Sequence, residues 1–210
     1  AEDSGRSVYS FCMCPGGQVI GSSSEEGTVV TNGMSLSLRN GLYANSAVVV
    51  NIRTEDFAGP SPLAGLDFRR QWERRAYQLG EAGYCAPAQR LTDFLQGRSG
   101  DVGATSFNPG VRPTELGETM PSFVTAALRE GLRRIDRKMP GFVTDEAVLI
   151  GVETRTSSPV RILRKATGES THIEGLYPCG EGAGYAGGIV SSAMDGVRCA
   201  NAIKEKNQIF

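Results

Sequence analysis

Near its carboxyl end the chain reads Tyr177-Pro178-Cys179-Gly180-Glu181-Gly182-Ala183-Gly184-Tyr185-Ala186-Gly187-Gly188-Ile189, an acid set among glycines just before a helix-patterned run. Glycine lets backbone amides approach a ligand because no Cβ intervenes, and the first turn of a helix carries N–H groups with no intrahelical acceptor. Such amides favour anionic or electron-rich oxygens. The apolar stretch from Ile173 that stops at Pro178 is predicted to be a strand, so the order is strand, loop, helix start. That is the layout of a dinucleotide cradle. The string Gly182–Gly187 satisfies G-x-G-x-x-G, yet a complete βαβ unit needs a second strand and an acidic ribose partner about 20 residues later. Here the acid, Glu181, precedes the glycines and the sequence stops after the helix, so the loop is expected to form the second half of a nucleotide site. The plain alternative is a glycine turn that only permits tight packing.

Three other groups could do chemistry. Arg155, Ser157 and Ser158 could hold an anionic or carbonyl-bearing substrate by charge-assisted hydrogen bonds, or could form an ordinary turn between strands. Cys12 and Cys14 stand two apart on a predicted strand, so both sulfurs point to one face. They read as a redox dithiol, as half a zinc site, or as two small buried residues near a turn. Structural zinc needs four ligands, and with no second close pair and one histidine, His172, no metal site is expected. His172 alone at a strand entry is read as structural or exposed in preference to a general base. No catalytic acid–base pair stands out.

These residues must be positioned by the elements around them. Ser7–Met13 alternates apolar and small polar residues as a strand, Pro15-Gly16-Gly17 reads as a turn, and Gln18–Gly21 as the returning strand of a hairpin. Thr28–Thr31 is a further β segment, and Ala47–Ile52 suits an inner strand buried on both faces. Ser61-Pro62 is a helix start, after which Phe68, Trp72, Ala76 and Leu79 form an apolar stripe. Its other face, Arg69, Arg70, Glu73, Arg74 and Arg75, is read as solvated, because Asp67 and Glu73 interleave with the arginines. Gly97–Glu118 shows no period and reads as a long loop. Pro121 opens a helix with Val124, Leu128, Leu132, Ile135 and Met139 on one face, ended by Pro140-Gly141. Strands are predicted at Ala147–Arg155 and Pro159–Leu163. A last helix, about Ile189–Lys204, should pack Ile189, Ala193, Val197, Ala200 and Ile203.

The chain has 210 residues, of which 40% are hydrophobic and 21% charged, enough to bury a sizeable core. A net charge of −1 gives no basic footprint for nucleic acid or an anionic membrane. No apolar run approaches the roughly 18 residues of a membrane helix, and a cytoplasmic protein is expected. Five scattered cysteines do not suggest a disulfide framework.

The segment Tyr177–Ala202, YPCGEGAGYAGGIVSSAMDGVRCANA, resembles the C-terminal flavin-binding segment of FAD-dependent dehydrogenases of the two-dinucleotide-binding-domain type, in particular the NAD(FAD)-utilising dehydrogenase group. The resemblance extends to FCMCPGG at Phe11–Gly17, NGMS at Asn32–Ser35 and VETRTSSPVRI at Val152–Ile162. It implies that Glu181 contacts the ribityl or pyrophosphate part of FAD. It further implies that about Gly182 to Ile189, with Ala183, Gly184, Tyr185, Ala186, Gly187 and Gly188, face the pyrimidine edge of the isoalloxazine, and that Gly180 is among the cofactor-binding residues. A small-molecule substrate and NAD(P)H as electron donor follow from the same resemblance, which also tips Arg155, Ser157 and Ser158 toward the substrate. The family's N-terminal fingerprint half does not occur in the sequence. The expectation is therefore an α+β fragment, with a sheet-rich substrate or cap domain over 1–169 and a strand–loop–helix over 170–210 that completes a Rossmann-like FAD domain. Alone it should hold FAD poorly and be inactive. The competing reading is a flavin-free binding or assembly module.

Overall fold

The computed structural model describes residues 5–57 and 59–207. The fold is α+β, as expected, and the chain divides into two compact units, Ala1–Asp56 with Phe68–Thr154, and Phe57–Asp67 with Arg155–Phe210.

The first unit holds two three-stranded sheets. In one, β1 (Val8–Gly21) lies between β2 (Thr31–Met34) and β3 (Tyr43–Val50), with both pairings antiparallel. In the other, β4 (Ala86–Arg90) pairs in parallel with β5 (Val111–Pro113) and antiparallel with β6 (Val148–Ile150). The expected hairpin at Pro15-Gly16-Gly17 does not form. The chain runs on as one strand, whose first half pairs with β3 and whose second half pairs with β2. Phe11 faces Ala47, Cys14 faces Asn45 and Gly17 faces Tyr43, so β1 advances three residues for every two on β3. That is two bulges in succession. Gly16, at φ +54°, serves the second of them, and a Cβ there would run into the Arg39 carbonyl. A Pro-Gly-Gly string fits a bulge as well as a turn, and the two partner strands decide between them. The apolar run expected as an inner strand forms β3, but β3 is an edge strand and only half-buried. Thr28, Val29 and Val30 are buried just ahead of β2.

Helices cover these sheets. In α1 (Ala64–Leu79) Ala76 is fully buried, as its stripe requires. The opposite face departs from expectation at one position, because Glu73 is also fully buried. Its Oε1 accepts the Thr154 hydroxyl at 2.7 Å and lies 3.2 Å from Arg69 Nε. Arg70 and Arg75 pair with Glu25 and Glu118, and Asp67, Arg74 and Arg75 are exposed, so this side of α1 is solvated as expected except at the buried Glu73. The supposed long loop Gly97–Glu118 contains β5 and a short 3-10 helix, Leu116–Thr119, and buries Phe107 in a core with Val29, Ala76, Ala86 and Val152. Parallel pairing with β4 is non-local, so no local period marked it. A second core gathers Leu91 and Phe94 of α2 (Leu91–Gln96) with Leu116 and with Leu128 and Leu132 of α3 (Ser122–Lys138). Gly131 lets α3 sit on β1, since a Cβ there would come within 2.5 Å of the Val8 side chain.

The second unit has little regular structure besides α4 (Ile189–Asn207). Neither Pro159–Leu163 nor the stretch before Pro178 forms a strand; the latter turns, with Ile173 and Leu176 exposed. Among the described residues neither stretch finds a ladder partner. Single bonds hold them instead, from Ile162 N–H to Ala183 O at 3.2 Å, from Thr171 N–H to Leu163 O at 3.2 Å and from Ser170 N–H to Leu176 O at 2.7 Å. No described helix is long and apolar enough to cross a membrane.

Candidate functional site: the glycine loop and its anchor

The glycine loop is built on an ion pair that periodicity does not reveal. Asp195, on the second turn of α4, is 4% exposed and lies directly under the loop. Arg164 donates to it through both Nη atoms, at 2.7 and 2.9 Å, and the Gly180 N–H reaches the same carboxylate at 2.9 Å. The Arg164 guanidinium also donates to Pro178 O at 2.8 Å and stacks 3.7 Å from the Tyr185 ring centroid. Bidentate geometry and planarity are what arginine offers and lysine does not. The guanidinium, seconded by the Gly180 amide, holds the Asp195 carboxyl down to about 2. The loop then closes on itself, with Gly184 N–H bonded to Glu181 O at 2.9 Å and Tyr185 N–H to Gly180 O at 3.1 Å. Tyr185 adds its hydroxyl to Ile162 O at 3.0 Å, and Arg161 Nε donates to Gly184 O at 3.0 Å.

Within this frame the glycines divide into two kinds. Gly180 and Gly184 have φ +71° and +82°, and a Cβ on Gly184 would stand 2.5 Å from Val160 O. Gly184 is therefore required by the fold, ligand or none. Gly182 and Gly187 are different. Nothing lies within 4 Å of where their Cβ would be, so the loop presents bare backbone to open space at both positions. Beside them the Glu181 carboxylate has no hydrogen-bonding or ionic partner among the described residues. The buried Ser192 Oγ likewise has none. Ile189, Val190 and Ser191 open α4 with amides that have no intrahelical acceptor, the first bond being Ser192 N–H to Gly188 O at 2.9 Å. The free amides suit carbonyl or phosphate oxygens and the Glu181 carboxylate suits hydroxyl or N–H donors, a set that is compatible with FAD on this side.

The remaining candidates are placed less tellingly. Ser158 Oγ donates to Val160 O at 2.9 Å, which makes it a turn-former, and Ser157 is exposed. Arg155 begins the same stretch. His172 is exposed in a turn. Cys12 and Cys14 bring their sulfurs to 4.0 Å, with no third metal-ligating side chain among the described residues. Sequence reading missed Arg164, Asp195 and Glu169, whose buried carboxylate accepts from Gly175 N–H at 3.0 Å and Lys206 Nζ at 2.6 Å. A polar residue inside an apolar helix, Asp195, was the available signal.

The helix stripe expected to be packed turns outward. Ile189 is 92% exposed and Val197 60%, with Val190 and Met194 also exposed, while the side toward the unit is Asp195 and Cys199. A contiguous exposed apolar stripe of this kind marks an interaction surface more often than a solvated face.

One antiparallel and one mixed three-stranded sheet backed by helices, followed by an irregular unit with a glycine loop and one long helix, define an α+β domain with an appended loop–helix segment. Residues 1–156 match the family described as "FAD-dependent protein, C-terminal domain-like", and the chain belongs to that family. A relative from Clostridium beijerinckii (strain ATCC 51743 / NCIMB 8052), carrying the name "Uncharacterized protein", is 50% identical over 204 residues. The match takes in 96% of this chain and 38% of the relative, so the chain spans well under half of that protein's length.

Proposed function

We propose that residues 180–189 hold the isoalloxazine side of FAD in a longer polypeptide, whose other part supplies the adenosine and pyrophosphate grip. The observation that carries this reading is the pairing of open backbone at Gly182 and Gly187 with an unpartnered Glu181 carboxylate beside the α4 amides. Membership of a family named for FAD dependence supports it, as does the outward apolar stripe of α4, which suits packing against the rest of a nucleotide-binding domain. On this reading residues 170–210 complete the FAD domain and the remainder is a substrate or cap domain. FAD supplies hydride chemistry when bound, and the chain's own residues position it. Glu181 would accept hydrogen bonds from hydroxyl groups of the bound cofactor, and the amides of Gly187, Gly188 and Ile189 would donate to its oxygens. Arg164 and Asp195 would act only by fixing the loop. Arg155 and Ser157, with Ser158 shaping their turn, would face an anionic or carbonyl-bearing small molecule, and NAD(P)H is the matching electron donor for a dehydrogenase.

The test is the visible spectrum of the longest polypeptide that encodes this chain, purified with and without added FAD. Flavin bands that are lost in the Gly187→Val form, with the first unit still folded, support the proposal. A colourless protein that takes up no FAD overturns it and favours a flavin-free module.

A further inference from the structure

Two thiols on the central strand of the first sheet are arranged for chemistry that the flavin reading does not use. Across the first bulge β1 advances three residues, from Phe11 to Cys14, against two on β3, from Ala47 to Asn45, and Cys12 takes φ +53°. A non-glycine residue in the left-handed region is disfavoured by about 1 kcal/mol or more, so the surrounding pairings must hold it there. The result is an Sγ–Sγ separation of 4.0 Å. A disulfide needs about 2.05 Å, so the sulfurs must approach by about 2 Å for the bond to form. Cys12 is exposed and Cys14 buried, which gives one sulfur for an incoming reagent and one held behind it. Two glycines border them, with the Asn45 side chain opposite Cys14. Gly33 passes with its carbonyl 3.9 Å from Cys12 Sγ, and a Cβ on Gly17 would stand 2.9 Å from Cys14 Cβ. No third histidine, cysteine or acid completes a metal site among the described residues.

We propose that Cys12 and Cys14 form a reversible redox site that exchanges with small-molecule disulfides of the glutathione type. The Cys12 thiolate attacks one sulfur of the reagent, breaking its S–S bond, forming a mixed disulfide and releasing one thiolate. The Cys14 thiolate then attacks Cys12 Sγ, breaks the mixed bond and releases the second. The two cysteines lose two electrons, the reagent gains them, and the two thiol protons end on the two released thiols. Burial, then the neighbouring Cys14 and the Glu153 carboxylate, push the Cys12 thiol up and disfavour the attacking thiolate, so mildly alkaline buffer speeds the first attack. The site lies in the first unit and does not depend on the flavin reading.

The whole chain is equilibrated with reduced and oxidised glutathione at a series of ratios, acid-quenched, alkylated and digested with trypsin. The peptide Ser7–Arg39 contains Cys12 and Cys14 and no other cysteine, so loss of two hydrogens without a glutathione adduct reports their disulfide directly. Oxidation of the folded chain is expected at a glutathione disulfide ratio at least ~10-fold lower than for the same chain in denaturant, reversed by dithiothreitol. In Cys14→Ser the adduct on Cys12 should persist, and Cys12→Gly, which keeps the left-handed backbone, should abolish the signal with β1 intact. A peptide that stays in the dithiol form, a stable mixed adduct in the unaltered chain, or the same ratio with and without denaturant overturns the proposal.

Discussion

Arg164 grips Asp195 in a two-pronged ion pair, 2.7 and 2.9 Å long, beneath the glycine loop, and that pair joins the extended stretch before the loop to the helix after it. Asp195→Ala leaves a mostly buried guanidinium and the Gly180 amide without their acceptor. The second unit is expected to lose about 3 kcal/mol. Arg164→Lys keeps the charge but loses the fork, and a smaller loss is expected. Hydrogen exchange across residues 178–192 checks both, with faster exchange there and little change in the first unit.

Acid should loosen the same unit first. Asp195 is held at about 2 against an ordinary 3.8, by Arg164 and then by Gly180. Glu169 is held at about 2 against 4.5, by the Gly175 amide and then by Lys206. Both are depressed in the folded state, so their contribution is complete above the ordinary values and is lost as pH falls from about 4.5 toward about 2. Limited proteolysis by an acid-active protease should open the 164–206 region within that window. In Asp195→Asn the decline should be shallower and should start from lower stability.

The glycines offer a separation of fold from binding. Gly184→Ala meets Val160 O and a strained φ, so the loop itself should rearrange. Gly187→Val meets open space and should leave thermal unfolding unchanged to within about 0.5 kcal/mol. In a polypeptide that binds FAD, only the second change isolates a loss of affinity from a loss of fold.

In the first unit, Gly131→Val drives a side chain into Val8 and is expected to cost about 1–3 kcal/mol by overpacking. Adding Val8→Ala should recover part of it. Chemical denaturation of the two single variants and the double variant measures that coupling.

Much of the helical framework was legible in the sequence. Ser61-Pro62 and Pro121 open α1 and α3 close to where capping rules put them, and Leu128 and Leu132 are core as their spacing requires. The sheets were harder to read, because Pro15-Gly16-Gly17 could turn or bulge and only the partner strands decide. The position of β5 depends on pairing with a strand more than twenty residues earlier. At the site, the glycine string announced itself by composition. Its anchor did not, since Arg164 and Asp195 are separated by 31 residues and meet only through the fold. The apolar stripe of α4 was read correctly as a stripe and incorrectly as packed, because periodicity says which residues seek a partner and not where the partner is.

The most direct measurement is a crystal structure, with FAD bound, of the longest polypeptide that encodes this chain. The isoalloxazine edge is expected in van der Waals contact with the backbone at Gly187 and Gly188, a Glu181 oxygen hydrogen-bonded to the ribityl chain, and the α4 stripe from Ile189 to Val197 buried. A flavin seated elsewhere, with Glu181 and Gly187 facing solvent, would contradict the flavin reading.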